Sequence, residues 1–162
     1  AVDDRSSPEA VAAGTALSWF DAPPDQAVPA LTYTGVSGAP VPLTQLRHQV
    51  RDWAAGLGLP RPEVDDLVLA CYEAMVNAAE HAYRDRPSTL DLRAVRTLDG
   101  HLVVTVRDHG SWRPEPLDPG SRGRGLLMIK SLAHRSAVQP GPDGTAVHMQ
   151  WRLPPLHSAD VL

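Results

Sequence analysis

The chain has 162 residues, 43% of them hydrophobic, which is the length of one domain with enough apolar side chains for a core. A formal net charge of -4 excludes a sequence-independent nucleic-acid binder, which needs a basic surface to release counterions. The single cysteine, Cys71, rules out an internal disulfide and fits a reducing compartment, and no apolar run of about 18 residues offers a membrane span.

Residues 1–27 are rich in Ala, Pro, Ser and Asp and are expected to form a flexible N-terminal extension or linker. Asp3 and Asp4 stand where a secretory signal carries positive charge, so the expected location is the cytoplasm. The chain starts at Ala1 rather than at methionine, as a trimmed or excised segment would. Val28 to Val36 is predicted as a strand, followed by a Gly/Pro turn. Leu43, Leu46, Val50 and Trp53 recur at spacings of three and four, which predicts an amphipathic helix from Leu43 to Gly56.

A second helix is predicted from Glu63 to Tyr83. On a helical wheel, Leu67, Val68, Cys71, Tyr72, Met75, Val76 and a set of alanines cover most of its circumference. The remaining sector holds Glu73, Asn77, Glu80 and His81. A narrow polar stripe on a buried helix needs a reason, because each unpaired buried polar group costs about 1–3 kcal/mol. Two strands follow, Thr89 to Arg96 and His101 to Arg107, with Asp99-Gly100 as the hairpin signal. A Pro/Gly/Arg-rich loop, Ser111 to Arg122, leads to a short helix from Gly125 to Ala133. A hairpin of His134 to Gln139 and Thr145 to Leu153 closes the domain, expected to span 28–155, with 156–162 as a tail. Hairpin-linked strands imply a mixed, mostly antiparallel sheet with helices on one face, an α+β two-layer α/β sandwich.

Glu73 and Asn77 are one helical turn apart and project to one side. An amide oxygen is a hard ligand suited to Mg²⁺, and a carboxylate beside it can accept a proton from a nucleophile. The same pair also fits a plain hydrogen bond. Asp108 ends a valine-rich strand and precedes Gly110; a carboxylate there either forms a turn or accepts the exocyclic amino hydrogen of adenine. In Gly120-Ser121-Arg122-Gly123-Arg124-Gly125 the glycines permit close backbone approach, and free amides at a helix start attract an anion.

The order of these signals carries more than any one of them. Glu73-x-x-x-Asn77-x-x-x-His81, Asp108-His109-Gly110, Gly123-Arg124-Gly125-Leu126 and Gly144-Thr145 resemble the N, G1, G2 and G3 boxes of the GHKL (Bergerat-fold) ATPase superfamily. The run from Tyr72 to Tyr83 is particularly similar to its anti-sigma factor serine kinase branch, which includes domains attached to PP2C-type phosphatases. The resemblance implies ATP and Mg²⁺ as cofactors. Asn77 would bind the metal, Glu73 would be the general base, and Asp108 would read adenine. Gly110 would admit the base, Gly123, Arg124, Gly125 and Leu126 would form lid and phosphate contacts, and Thr145 would support the adenine end. It further implies phosphorylation of a serine on an anti-anti-sigma STAS-domain partner, sequestration of a sigma factor and a homodimer. Trp112 stands where the first glycine box usually has a second glycine, and Pro114, Pro116 and Pro119 follow. Those departures leave open a second reading, a nucleotide-binding interaction module with weak or no catalysis. A third, a histidine-kinase catalytic domain, lacks an acceptor helix pair in residues 1–42.

Overall fold

A computed structural model describes residues 18–81, 89–109 and 119–154, with the side chains of 81 and 119–124 excepted. Five strands form one sheet: β1 (Leu31–Ser37), β2 (Thr89–Arg96), β3 (His101–Asp108), β4 (Arg135–Gly141) and β5 (Gly144–Arg152). Their order is β1-β2-β3-β5-β4, and every neighbouring pair is antiparallel. The sheet is therefore wholly antiparallel among the described residues rather than mixed, and two of its four pairings, β2–β3 and β4–β5, are tight hairpins. Among the described residues three helices pack on one face: α1 (Pro40–Gly56), α2 (Arg61–His81) and α3 (Pro119–Leu132). The result is an α+β two-layer sandwich.

Each boundary has a local cause. Pro40 opens α1, where its fixed φ suits a first turn and its missing N–H is no loss. Gly58, at φ 89°, stops it by adopting a left-handed conformation that few other residues tolerate. The apolar repeat Leu43, Leu46, Val50 and Ala54 is fully inside. α2 is the central helix and touches α1, α3 and strands β2, β3 and β5. Its Leu67, Ala70, Cys71, Ala74 and Met75 are almost completely inaccessible, as the apolar circumference requires. Burial pushes the Cys71 thiol far above the usual range by disfavouring the thiolate. Facing strand residues Leu90, Leu92, Leu102, Val104, Val106, Met149 and Trp151 complete the core. Trp151 also donates its indole N–H to the Leu132 carbonyl at 3.1 Å, capping the end of α3.

Two expectations are corrected. The helix after the Gly-rich run starts at Pro119, not Gly125, so Gly123 and Arg124 belong to α3, together with Gly125 and Leu126, rather than preceding it. Pro119 at the first position supplies the start that the glycines obscured. Residues 18–27 are also not a free extension. A 3-10 turn at Trp19–Asp21 lies on the sheet's second face, where Phe20 stacks flat on His148 with ring centroids 3.7 Å apart. Trp19 lies 5.7 Å under the Arg135 guanidinium, Pro24 bridges to Thr97, and Arg96 pairs with Asp25 at 2.7 Å. These contacts hold the segment like a strap.

Candidate functional site

A cavity of about 410 Å³ opens between α2, α3 and one end of the sheet. Its lining comes from five elements: Ala74, Asn77 and Ala78 on α2, Val106 and Asp108 on β3, Leu126 on α3, Val138 and Pro140 on β4, and Thr145 and Val147 on β5. The size suits a small-molecule ligand, and the walls are mostly apolar with a few polar groups, as such sites usually are. Ala74 and Ala78, one turn apart beside Asn77, keep the helix side shallow enough for a flat ring.

The polar groups sit at opposite ends. Asp108, the last residue of β3, accepts the Thr145 backbone N–H at 3.1 Å through Oδ1. This ties the β3 end to the start of β5 and fixes the carboxylate at the cavity rim. Gly144 makes the crossing possible. Its φ is 146°, and a Cβ there would run into the Asp108 carbonyl. No other residue type fits without moving a strand. Next to it, His109 holds Asp91 at 2.8 Å, and the other oxygen of Asp91 accepts the Gly35 N–H at 2.8 Å. The rim is thereby stitched across β2 to the irregular part of β1.

At the other end Asn77 lies between α2 and α3. Its Nδ2 is, among the described residues, the buried side-chain polar atom with no hydrogen-bond partner. Such an atom in an otherwise satisfied interior marks a place where a ligand completes the bonding. Glu73, one turn before it, is partly buried and lies outside the cavity lining. The predicted site residues thus divide. Asn77, Asp108, Leu126 and Thr145 converge on the cavity, Gly125 abuts Asn77, and Glu73 stands just beyond it. Gly123 and Arg124 fall in the first turns of α3. Gly110, Trp112 and the prolines 114 and 116 lie outside the described residues, as does the His81 side chain.

Sequence reasoning missed the apolar walls. Val138 and Val147 are directly paired across β4 and β5, and both line the cavity. The alternation in Thr145 to Trp151 could have placed Val147 inward, since Met149 and Trp151 share its face. Pro140 carries no such signal.

The histidine kinase-like ATPase domain model matches residues 36–151. The chain belongs to that family, and its fold is that of a GHKL-like ATPase domain. Among solved structures it is similar to the RsbU and RsbW domains of Rv1364c from Mycobacterium tuberculosis, at 26% identity and a TM-score of 0.63. That match covers 80% of this chain and 34% of the other, so the chain spans about a third of that protein's crystallised length. The SiaB-SiaC complex from Pseudomonas aeruginosa gives a TM-score of 0.57 at 17% identity, covering 74% and 88% of the two chains, a likeness of fold. A blue-light activated histidine kinase, EL346 of Erythrobacter litoralis, gives 0.51 at 29% identity over 59% of this chain and 32% of that one.

Proposed function

We propose that the chain is an ATP-dependent serine protein kinase of the partner-switching type, acting on a STAS-domain partner and binding a sigma factor. The observation that carries the reading is the cavity's polarity. A carboxylate stands at one end and an amide with an unsatisfied buried atom at the other, 31 residues apart in sequence and separated by apolar walls. Adenine fills the apolar part with its amino group toward Asp108, and the phosphates run toward Asn77. A guanine would present a carbonyl to the carboxylate and be rejected.

Asn77 suits the phosphate end on chemical grounds. An amide offers an oxygen to a hard cation and an N–H to a phosphate oxygen, and Mg²⁺ usually takes only one or two protein ligands. Held there by Asn77, the cation would neutralise charge on the transferring phosphoryl group. Glu73 is placed one turn away, about 6 Å along the helix axis. In this reading the partner's serine oxygen attacks the γ-phosphorus, ADP departs with the bridging oxygen, and Glu73 takes the hydroxyl proton. The domain works in the cytoplasm, as a homodimer.

The test incubates the protein with Mg²⁺, labelled ATP and a STAS-domain partner, beside a Glu73→Ala variant. Phosphoserine on the partner that disappears with Glu73→Ala is the expected result. Nucleotide binding and partner capture without transfer would instead establish an interaction module, which Glu73's position outside the cavity lining favours.

A further inference from the structure

We infer that Gly125 is a positioning residue for Asn77, its missing side chain being what lets α3 rest on the α2 amide and fix its direction. The inference rests on the nucleotide reading above and gives Gly125 a role distinct from phosphate contact. A Cβ at Gly125 would lie 2.7 Å from Asn77 Nδ2, 3.0 Å from Oδ1 and 3.3 Å from Cγ. Both polar atoms are nearer than the carbon, so the amide points its polar edge at the spot where any other residue would carry a methyl group.

Two further observations support a steric rather than a conformational reason for this glycine. Gly125 is buried inside α3 and is absent from the glycines with positive φ, so its backbone does not need glycine. Glycine within a helix is unfavourable relative to alanine, so something must offset its presence. Close helix approach at Gly125 thereby holds the two polar atoms of Asn77 in one orientation, as an outer-shell group holds a metal ligand.

The test is a cycle of Gly125→Ala, Asn77→Ala and the double variant, read two ways. Thermal unfolding without nucleotide should show Gly125→Ala destabilising the protein when Asn77 is present. In the Asn77→Ala background the same change should cost little, because the added methyl enters the room the amide left. Binding of a fluorescent ATP analogue should weaken roughly 10- to 100-fold in Mg²⁺ for Gly125→Ala, with binding in EDTA unchanged. Equal destabilisation in both backgrounds, or equal loss of binding with and without Mg²⁺, overturns the inference. Alanine keeps the backbone N–H, so unaltered Mg²⁺-dependent binding by Gly125→Ala does so too. If Gly125→Ala fails to fold, recovery of folding in the double variant supports the inference and failure there overturns it. A wild-type protein that binds no nucleotide overturns the function proposed above as well, whereas wild-type binding that Gly125→Ala leaves intact overturns this inference alone.

Discussion

The Asp108 carboxylate accepts the Thr145 backbone N–H at 3.1 Å, joining the end of β3 to the start of β5 at the mouth of the cavity. Its removal has two separable effects. Asp108→Ala leaves the Thr145 N–H without its acceptor, a loss of about 1–3 kcal/mol in stability if that donor stays dry. Asp108→Asn keeps an oxygen for Thr145 but loses the charge at the cavity rim. Competition binding of ATP against GTP is expected to show a reduced preference for adenine in Asp108→Asn with little change in melting temperature. An unchanged ATP/GTP ratio would remove Asp108 from base recognition.

Gly144 and Gly100 both have positive φ, at 146° and 86°, and both sit in hairpins. Only Gly144 faces an obstacle, the Asp108 carbonyl; Gly100 meets nothing within 4 Å. Gly100→Ala is therefore expected to cost about 1–2 kcal/mol for the left-handed backbone alone. Gly144→Ala should cost more than that and should also weaken nucleotide binding, because β5 has to move. Urea unfolding of the two variants checks the ranking, and equal losses would refute it.

His148 lies behind the cavity, next in sequence to Val147, which lines it. Its ring bonds Thr105 at 2.8 Å and Gln139 at 2.9 Å. Burial holds its pKa down to about 4 from an ordinary 6.5, the positive charge of Arg107 pushes the same way, and Asp21 opposes both. Between those two values the unfolded chain binds more protons than the folded one, so this residue lowers stability as pH falls from 6.5 toward 4. Above 6.5 it contributes no slope. Melting temperatures measured from pH 7.5 to 4.5 (roughly the span that brackets this titration) should fall less steeply for His148→Gln than for the wild type. Parallel curves would mean that His148 is not held neutral.

Phe20 covers that imidazole from the strap. Phe20→Ala should expose His148 to water, and an NMR titration should then find its pKa moved up toward 6.5. The same change removes a large apolar contact, so a stability loss on the order of 1–3 kcal/mol should accompany it. A pKa that stays put would show that the strand side chains, and not the strap, keep the ring dry.

What was legible in the sequence follows from where the physics is local. The start of α2 came out within two residues because its apolar repeat is long and Pro60 and Pro62 punctuate it; its expected end at Tyr83 lies outside the described residues. The Asp99-Gly100 hairpin was equally plain, since a left-handed glycine is a local demand. The start of α3 was not legible: Gly120 and Gly123 read as lying before the helix, which packs on α2. The strap was hidden for a similar reason. Trp19 and Phe20 stand among prolines and acidic residues, and their partners, Arg135 and His148, lie more than 110 residues away. At the site, Asn77 and Asp108 were visible through motif spacing, but Glu73's place just beyond the cavity depends on the rotation of α2, which the wheel alone does not settle.

The one thiol of the chain is buried at the middle of α2, two residues before Glu73 and with no accessible surface. A membrane-impermeant alkylating reagent reaches it only when the helix lifts from its neighbours. Because no second cysteine competes, the rate of mass increase counts those openings directly, in the manner of hydrogen exchange at a single site. Cys71 therefore turns the helix that walls the cavity into its own clock. Ligands that seat on Asn77 should slow it, and substitutions that loosen α3 should make it run fast.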